Sequence, residues 1–190
     1  PNSVTDSPSI RWGWGLLIVL LLTTAVRWHR LELSLERDEG EYAYAGQLML
    51  EGMPPYVGAY NMKLPGIYLA YTAILGVFGQ TVWAIHLGLL LINLASIVLV
   101  FLIGRKLIDH RGAFFSAATF AVLSAHASVT GLFANSEHFV VLPMLGGVLF
   151  LLKAIESDRW WQWGAAGVLM GTAFVMKQHG VMFMGMGVAV

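Results

Sequence analysis

The chain has no cysteine and very little charge. Of its 190 residues, 57% are hydrophobic and only 12% are charged. The absence of cysteine excludes disulfides and cysteine-ligated zinc sites. Soluble domains carry about 25% charged residues, so the shortage of charge indicates an integral membrane protein. The formal net charge is zero, which argues against nucleic acid as a partner.

Long uncharged runs set the expected architecture. About 20 apolar residues span a bilayer, and no Asp, Glu, Lys or Arg occurs between Leu64 and Gly104. The first run lacks a small-x-small cleavage pattern, which favours a retained helix over a signal peptide. We therefore expect an all-α, polytopic bundle of transmembrane helices. The chain begins without methionine and stops inside an apolar run, so residues 1–190 are interpreted as the N-terminal part of one larger domain. Its predicted spans are about 12–30, 82–104, 113–134, 138–155, 162–177 and, truncated, 181–190.

Basic residues in short loops predict the orientation. Such residues cluster in 105–111 and 153–159, which the positive-inside rule assigns to the cytoplasm. The side of the long polar loop, 31–80, then depends on the apolar segment 64–79. If that segment crosses, the loop is cytoplasmic. Its shortness and its Lys-Leu-Pro-Gly start favour an interfacial helix instead. We predict a multi-pass cell-membrane protein whose interfacial helices lie in this first extracytoplasmic loop.

The polar stretch 37–71 contains a predicted short helix from Glu39 to Glu51. Asp38 is the predicted N-cap, with Glu41 three residues later as in a capping box. Gly52 and the following Pro54-Pro55 should end the helix. Ala45, Leu48 and Met49 form a narrow apolar face that we expect to rest on lipid headgroups.

Asp38 and Lys63 are the strongest candidates for chemistry in this stretch. Asp38 is either only an N-cap or also a general base, and its neighbour Glu39 makes an acidic pair with it. Partial burial and like-charge repulsion predict a raised pKa for the Asp38 carboxyl. Lys63 either extends its ammonium from an apolar helix to the interface or offers a positive charge to a phosphate.

A second polar group should lie on the same side of the membrane. Glu137 and His138 start one predicted span, and Lys177 and Gln178 follow another. A structural role is one interpretation, helix capping for the first pair and a polar turn for the second. The functional interpretation is that these residues line a cavity. His86, Asn93 and His126 lie in or near spans, where interhelical hydrogen bonding is expected of them rather than ligand binding. No His, Asp or Glu spacing supports a metal site.

The order of these motifs resembles a known family. Asp38-Glu39-x-x-Tyr42, Pro54-Pro55-Tyr56, Lys63-x-Pro65, Gly104-Arg105-Lys106-Leu107 and Asn135-Ser136-Glu137 together resemble GT-C glycosyltransferases. The branch that they resemble comprises bacterial relatives of protein O-mannosyltransferases and of lipid A aminoarabinose transferase. Relatives often have Lys-Pro-Pro where this chain has Lys63-Leu64-Pro65, and often Asp where it has Glu137.

The resemblance implies transfer of a sugar from a polyprenyl-phosphate donor to an extracytoplasmic acceptor hydroxyl, with inversion. Asp38 and Glu39 would be catalytic, Lys63 would bind the donor phosphate, and the cavity-lining residues would be Tyr42, Glu137, His138, Lys177 and Gln178. The expected partners are this donor, membrane lipids and a glycan, lipid or protein acceptor. No cofactor is predicted, although a divalent metal stays open. The alternative is a multi-pass transporter or flippase, but transporter sites usually lie near the midplane, whereas these polar residues lie at span ends.

Overall fold

The computed structural model describes residues 8–59, 61–182 and 185. In these ranges the chain forms seven α-helices and no strand. Two short 3₁₀ turns, Ala127–Val129 and Gln178–Gly180, complete the described elements. The helices are α1 (Pro8–Trp28), α2 (Arg37–Leu50), α3 (Pro65–Phe78), α4 (Val82–Leu107), α5 (His110–Leu123), α6 (Ser136–Ser157) and α7 (Trp160–Met176).

Three of these helices are long and apolar enough to cross a membrane. The qualifying segments are Ile10–Trp28 of α1 and the whole of α4 and α6. The expected all-α bundle of membrane helices is thus confirmed. Helix α7 has 17 residues, and α3, with 14 residues, is about 21 Å long, which is short of a hydrocarbon core of about 30 Å.

The predicted helix over 113–134 is shorter than expected and starts earlier. Helix α5 begins at His110 because the side chain of Asp109 accepts a hydrogen bond from the Gly112 N–H. It ends at Leu123, and Thr130 then adopts a left-handed conformation with φ of 49°. The predicted span at 181–190 falls mostly outside the described residues.

Small residues bring neighbouring helices close together. At Gly104 of α4, an added Cβ would lie 2.8 Å from the Ala113 Cα of α5. At Gly147 of α6, it would lie 2.8 Å from the side chain of Met170 in α7. The two glycines therefore allow α4 and α5, and α6 and α7, to pack closely, and a larger residue at either position would push the helices apart.

Helices α2 and α3 form a packed pair. The position of a Cβ on Gly46 lies 3.1 Å from the Thr72 backbone nitrogen, so the two backbones approach closely. Ala45 and Leu48 are buried, and Met49 packs against the same core. The expectation that this α2 face rests on lipid is therefore wrong, because α3 covers it.

The bundle has two distinct ends. At one end the side chain of Gln178, just after α7, donates a hydrogen bond of 3.4 Å to the Met62 carbonyl, just before α3. At the other end Lys106 of α4 contacts Glu156 of α6. The two basic loops therefore share one end, and the candidate site residues share the opposite end.

Candidate active site

Helix α2 begins at Arg37, two residues earlier than the predicted start at Glu39. Glu36 is its N-cap, with extended φ and ψ of −76° and 166°. The Glu39 carboxylate accepts a hydrogen bond of 2.8 Å from the Glu36 backbone N–H, as the third residue of a capping box does. The prediction of Asp38 as N-cap is wrong, because Glu36 occupies that position. Asp38 is instead in the first turn of the helix, and its side chain is free for another contact.

Asp38, Tyr42 and Lys63 form one hydrogen-bonded cluster, hereafter the Asp38 cluster. The Lys63 Nζ donates to Asp38 Oδ2 at 3.0 Å and to the Tyr42 hydroxyl at 2.8 Å. The Tyr42 hydroxyl in turn donates to Asp38 Oδ2 at 3.3 Å. Tyr42 lies one helical turn after Asp38, so both side chains leave α2 on the same face.

The segment before α3 holds Lys63 in place. The Tyr56 hydroxyl donates a hydrogen bond of 2.9 Å to the Lys63 carbonyl. Pro65 opens α3, and Gly66 presses against α7, where an added Cβ would lie 2.6 Å from the Val175 carbonyl oxygen. Two contacts on the backbone thus aim the Lys63 side chain at α2. The side chains of Lys63 and Asp38 stay 28% and 39% exposed, so a ligand can reach both.

Electrostatics in the Asp38 cluster oppose the expected shift. The hydrogen bond from Lys63 holds the pKa of the Asp38 carboxyl below its usual value, and this outweighs partial burial. The prediction of a raised Asp38 pKa is therefore wrong, because Lys63 rather than Glu39 is the nearest charge. Burial lowers the Lys63 pKa, but the bonds to Tyr42 and Asp38 overcome it and raise the pKa of the ammonium. Both groups are consequently ionised at neutral pH.

Glu39 points the other way, into the protein. Its side chain is fully buried, and its Oε1 lies 3.1 Å from the His86 Nε2 of α4. The same oxygen accepts a hydrogen bond from the Ala134 N–H, just before α6. The other imidazole nitrogen of His86, Nδ1, lies 3.0 Å from the Leu31 carbonyl. Glu39 therefore ties the start of α2 to α4 and to the residues before α6, and does not face the cavity side with Asp38.

Glu137 and Lys177 form a second charged pair nearby. Their side chains are in contact and line an open cavity of about 350 Å³ together with Val140, Val141 and His179. The Ser136 hydroxyl donates to Glu137 Oε2 at 3.4 Å. Burial raises the pKa of Tyr42, while contacts with Lys63 and then with Ser136 counter part of this rise. Ser136 thus lies near both the pair and the Tyr42 side chain.

The remaining predicted residues have different surroundings. His138 and Gln178 do not line this cavity, whereas His179 does. The expectation of interhelical hydrogen bonding is confirmed for His86. It is wrong for Asn93, whose amide donates to Leu89 of its own helix at 3.4 Å, and for His126, which caps the 3₁₀ turn.

Three contributors were missed in the sequence. Ser136 and His179 adjoin predicted site residues, so proximity in the chain was the available signal for them. Tyr56 follows Pro54-Pro55, and nothing in the sequence indicates its hydrogen bond to the Lys63 carbonyl. In the described part of the chain, no group of three His, Asp or Glu side chains comes together that could hold a metal ion.

Comparison with known proteins adds a family. Residues 62–189 match the family model described as dolichyl-phosphate-mannose-protein mannosyltransferase. The matched region includes Lys63, Glu137 and Lys177, and it begins after Asp38. Neither a curated protein nor a solved structure matches the chain. Because the match covers well over half of its residues, the chain belongs to the dolichyl-phosphate-mannose-protein mannosyltransferase family of GT-C membrane glycosyltransferases.

Proposed function

We propose that the chain transfers a sugar from a polyprenyl-phosphate donor to an acceptor hydroxyl on the extracytoplasmic side, by an inverting single displacement. The family supports a lipid-phosphate-linked sugar as donor. The observation that carries the proposal is the contact between Asp38 of α2 and Lys63 of the segment before α3, which meet at a partly exposed position. One group can accept a proton and the other can bind a phosphate, so the pair supplies both ends of a displacement.

The chemical step uses these two groups in different roles. The acceptor oxygen attacks the anomeric carbon, and its proton passes to the Asp38 carboxylate. The bond from the anomeric carbon to the phosphate oxygen breaks, and its electron pair stays on that oxygen. The polyprenyl phosphate gains negative charge as it leaves, and the Lys63 ammonium stabilises this charge because it is fixed in place beforehand.

The pairing of Asp38 with Lys63 also suggests how donor binding prepares the base. A carboxylate with a lowered pKa is a weak base. When the donor phosphate draws Lys63 towards itself, Asp38 loses its strongest stabilising partner and its pKa should rise. Tyr42 touches both groups and can keep Asp38 oriented during this exchange. The base would then be strongest when the donor is in place, which limits unproductive proton transfer.

The Glu137–Lys177 pair offers a place for the rest of the substrates. Its cavity is open and carries one charge of each sign. Sugar hydroxyls both donate and accept hydrogen bonds, so a carboxylate next to an ammonium suits them. We assign this cavity to the transferred sugar or the acceptor, beside the displacement at the Asp38 cluster.

Transfer of a labelled sugar from polyprenyl phosphate in membranes tests the proposal. We expect Asp38→Asn to abolish transfer and Lys63→Ala to weaken use of the lipid donor, with both variants inserted normally in the membrane. Glu51→Gln is the matched control, because Glu51 is an exposed carboxylate at the far end of the same helix. Transfer by Asp38→Asn at the rate of Glu51→Gln would remove Asp38 from the mechanism, and unchanged donor kinetics in Lys63→Ala would remove the phosphate role.

A further inference from the structure

A basic pocket lies at the end of the bundle opposite the Asp38 cluster. It has a volume of about 270 Å³ and is formed where α4, α5 and α6 meet. The close α4–α5 contact at Gly104 and the cap of α5 by Asp109 fix the turn that builds one wall. This pocket is lined by Leu102, Arg105, Lys106, His110, Leu149 and Lys153, and no role in the proposed sugar transfer uses any of these residues.

The positive charges of this pocket exceed its negative charges. Among the basic residues that line the pocket, only Lys106 has a carboxylate partner within the described ranges, and the side chain of this partner, Glu156, is largely exposed. Arg105 and Lys153 lie over the rings of Phe101 and Phe150 at 5.9 and 5.4 Å, and no carboxylate lies within 4 Å of either in the part of the chain that the structure describes.

One polar atom of the pocket lacks a partner. The His110 Nε2 is buried and makes no hydrogen bond within the described part of the chain. Buried polar atoms in proteins nearly always have a partner. A phosphate oxygen in the pocket would accept from this nitrogen in its N–H form and would neutralise the two unpaired cations.

The depth of the pocket points to a lipid. Helices α4 and α6 are both candidate spans, and the pocket lies at their ends. Trp160, Trp161 and Trp163 open α7 at the same end and are exposed, and Trp161 packs on Phe150 with ring centroids 5.9 Å apart. Tryptophans concentrate at the headgroup level of membranes. Basic pockets between membrane helices bind anionic headgroups.

We propose that this pocket binds the phosphate headgroup of an anionic phospholipid. The headgroup phosphate contacts Arg105, Lys153 and His110, and the leucines at Leu102 and Leu149 face the start of the acyl chains. The site is separate from the donor site along α4: His86 near the start of this helix contacts Glu39, beside Asp38, and Arg105 near its end lines the pocket, which places them about 28 Å apart along the helix axis. Its occupation is therefore independent of the proposed sugar transfer.

The test counts bound lipids on the purified protein by native mass spectrometry. The probes are phosphatidylglycerol, phosphatidylcholine and inorganic phosphate. We expect the protein to retain phosphatidylglycerol in preference to phosphatidylcholine. Arg105→Gln with Lys153→Gln should weaken phosphatidylglycerol binding by roughly 30-fold, since each basic residue near an anionic headgroup contributes about fivefold.

A matched double variant removes the same charge elsewhere at this end. Arg111→Gln with Arg159→Gln leaves the pocket intact, because neither residue lines it. We expect less than a threefold change. A third variant, Glu156→Gln, frees Lys106 and should tighten binding several-fold, which a merely destabilised protein would not do.

Three results would overturn the proposal. The first is an equal loss in the two double variants, which would show only a general surface charge effect. The second is unchanged or weaker binding in Glu156→Gln. The third is displacement of phosphatidylglycerol by millimolar inorganic phosphate, which would make the ligand a free phosphate rather than a lipid.

Discussion

Glu39 should be a positioning residue whose removal unfolds the protein before it affects chemistry. The side chain is fully buried, and its two oxygens take hydrogen bonds from Glu36, Ala134 and His86. Asp38, one residue earlier, is partly exposed and contacts Lys63. The two adjacent carboxylates therefore should respond differently to the same kind of substitution.

The expected magnitude follows from what Glu39→Ala leaves behind. Breaking a buried charged pair by removing one partner costs about 3–5 kcal/mol, and each buried donor left unsatisfied costs about 1–3 kcal/mol. The Ala134 N–H and the His86 imidazole both lose their acceptor. Because these costs overlap, we expect a loss of about 3–5 kcal/mol for Glu39→Ala. Glu39→Gln keeps one acceptor oxygen and should lose about half as much. Asp38→Asn should change stability by less than about 1 kcal/mol, since its pair with Lys63 is partly exposed.

Unfolding in detergent by urea, followed by circular dichroism, measures these differences, and sugar transfer is assayed on the fraction that remains folded. Folded Glu39→Gln should retain measurable transfer with an altered KM, whereas Asp38→Asn should be fully stable and inactive. The reasoning fails if Glu39→Ala is as stable as the unchanged protein but transfers no sugar. That result would make Glu39 a catalytic group, as the acidic pair in the sequence first suggested.

Three further predictions concern the site and its support. Lys63→Met should shift the acidic limb of the pH–rate profile to higher pH, because removing Lys63 lets the lowered pKa of Asp38 rise. Measurement of kcat/KM from pH 4 to 8 checks this shift. An unmoved limb would mean that a group other than Asp38 titrates. Gly66→Val should destabilise the protein by about 1–3 kcal/mol and reduce sugar transfer, since the added Cβ would lie 2.6 Å from the Val175 carbonyl oxygen. Gly164→Ala is the control in the same unfolding assay, because nothing lies within 4 Å of a Cβ added there. Cysteines placed at Met62 and Gln80 should react with an impermeant reagent from one face of the membrane, and a cysteine at Trp160 from the other face. All three positions are exposed. Labelling of positions 62 and 80 from opposite faces would show that 64–79 crosses the membrane.

The fold was predictable where hydrophobicity alone decides it. Runs of uncharged residues predict the long helices α1, α4 and α6. The two basic loops lie at one end of the bundle, as expected. The end of α5 at Leu123 was not predictable in this way, because residues 124–134 are also uncharged but form local turns instead. The prediction that the α2 face rests on lipid is wrong for a similar reason. An amphipathic helix shows which side avoids water, but lipid and a second helix satisfy that side equally well.

The site itself was predictable as a set of residues but not as a geometry. Pattern and charge pointed to Asp38 and Lys63, although they are far apart in the chain. Their pairing depends on the contacts of the segment before α3, namely the Tyr56 hydrogen bond and the close approach of Gly66 to α7. Those contacts join residues distant in sequence, so no local pattern reveals them. The direction of the Asp38 pKa shift could not be predicted without this geometry, since it depends on which charge lies nearest to the carboxyl.

The register of α2 decides which of two neighbouring carboxylates faces Lys63. Successive residues on an α-helix point about 100° apart, so Asp38 and Glu39 point in different directions. With Glu36 as N-cap, Asp38 and Tyr42 face Lys63, and Glu39 faces His86. The buried bonds of Glu39 fix the rotation of the helix, and that rotation aims Asp38 outward. The two neighbouring carboxylates thus differ in role, because the buried Glu39 sets the direction of Asp38, which we propose acts on the substrate.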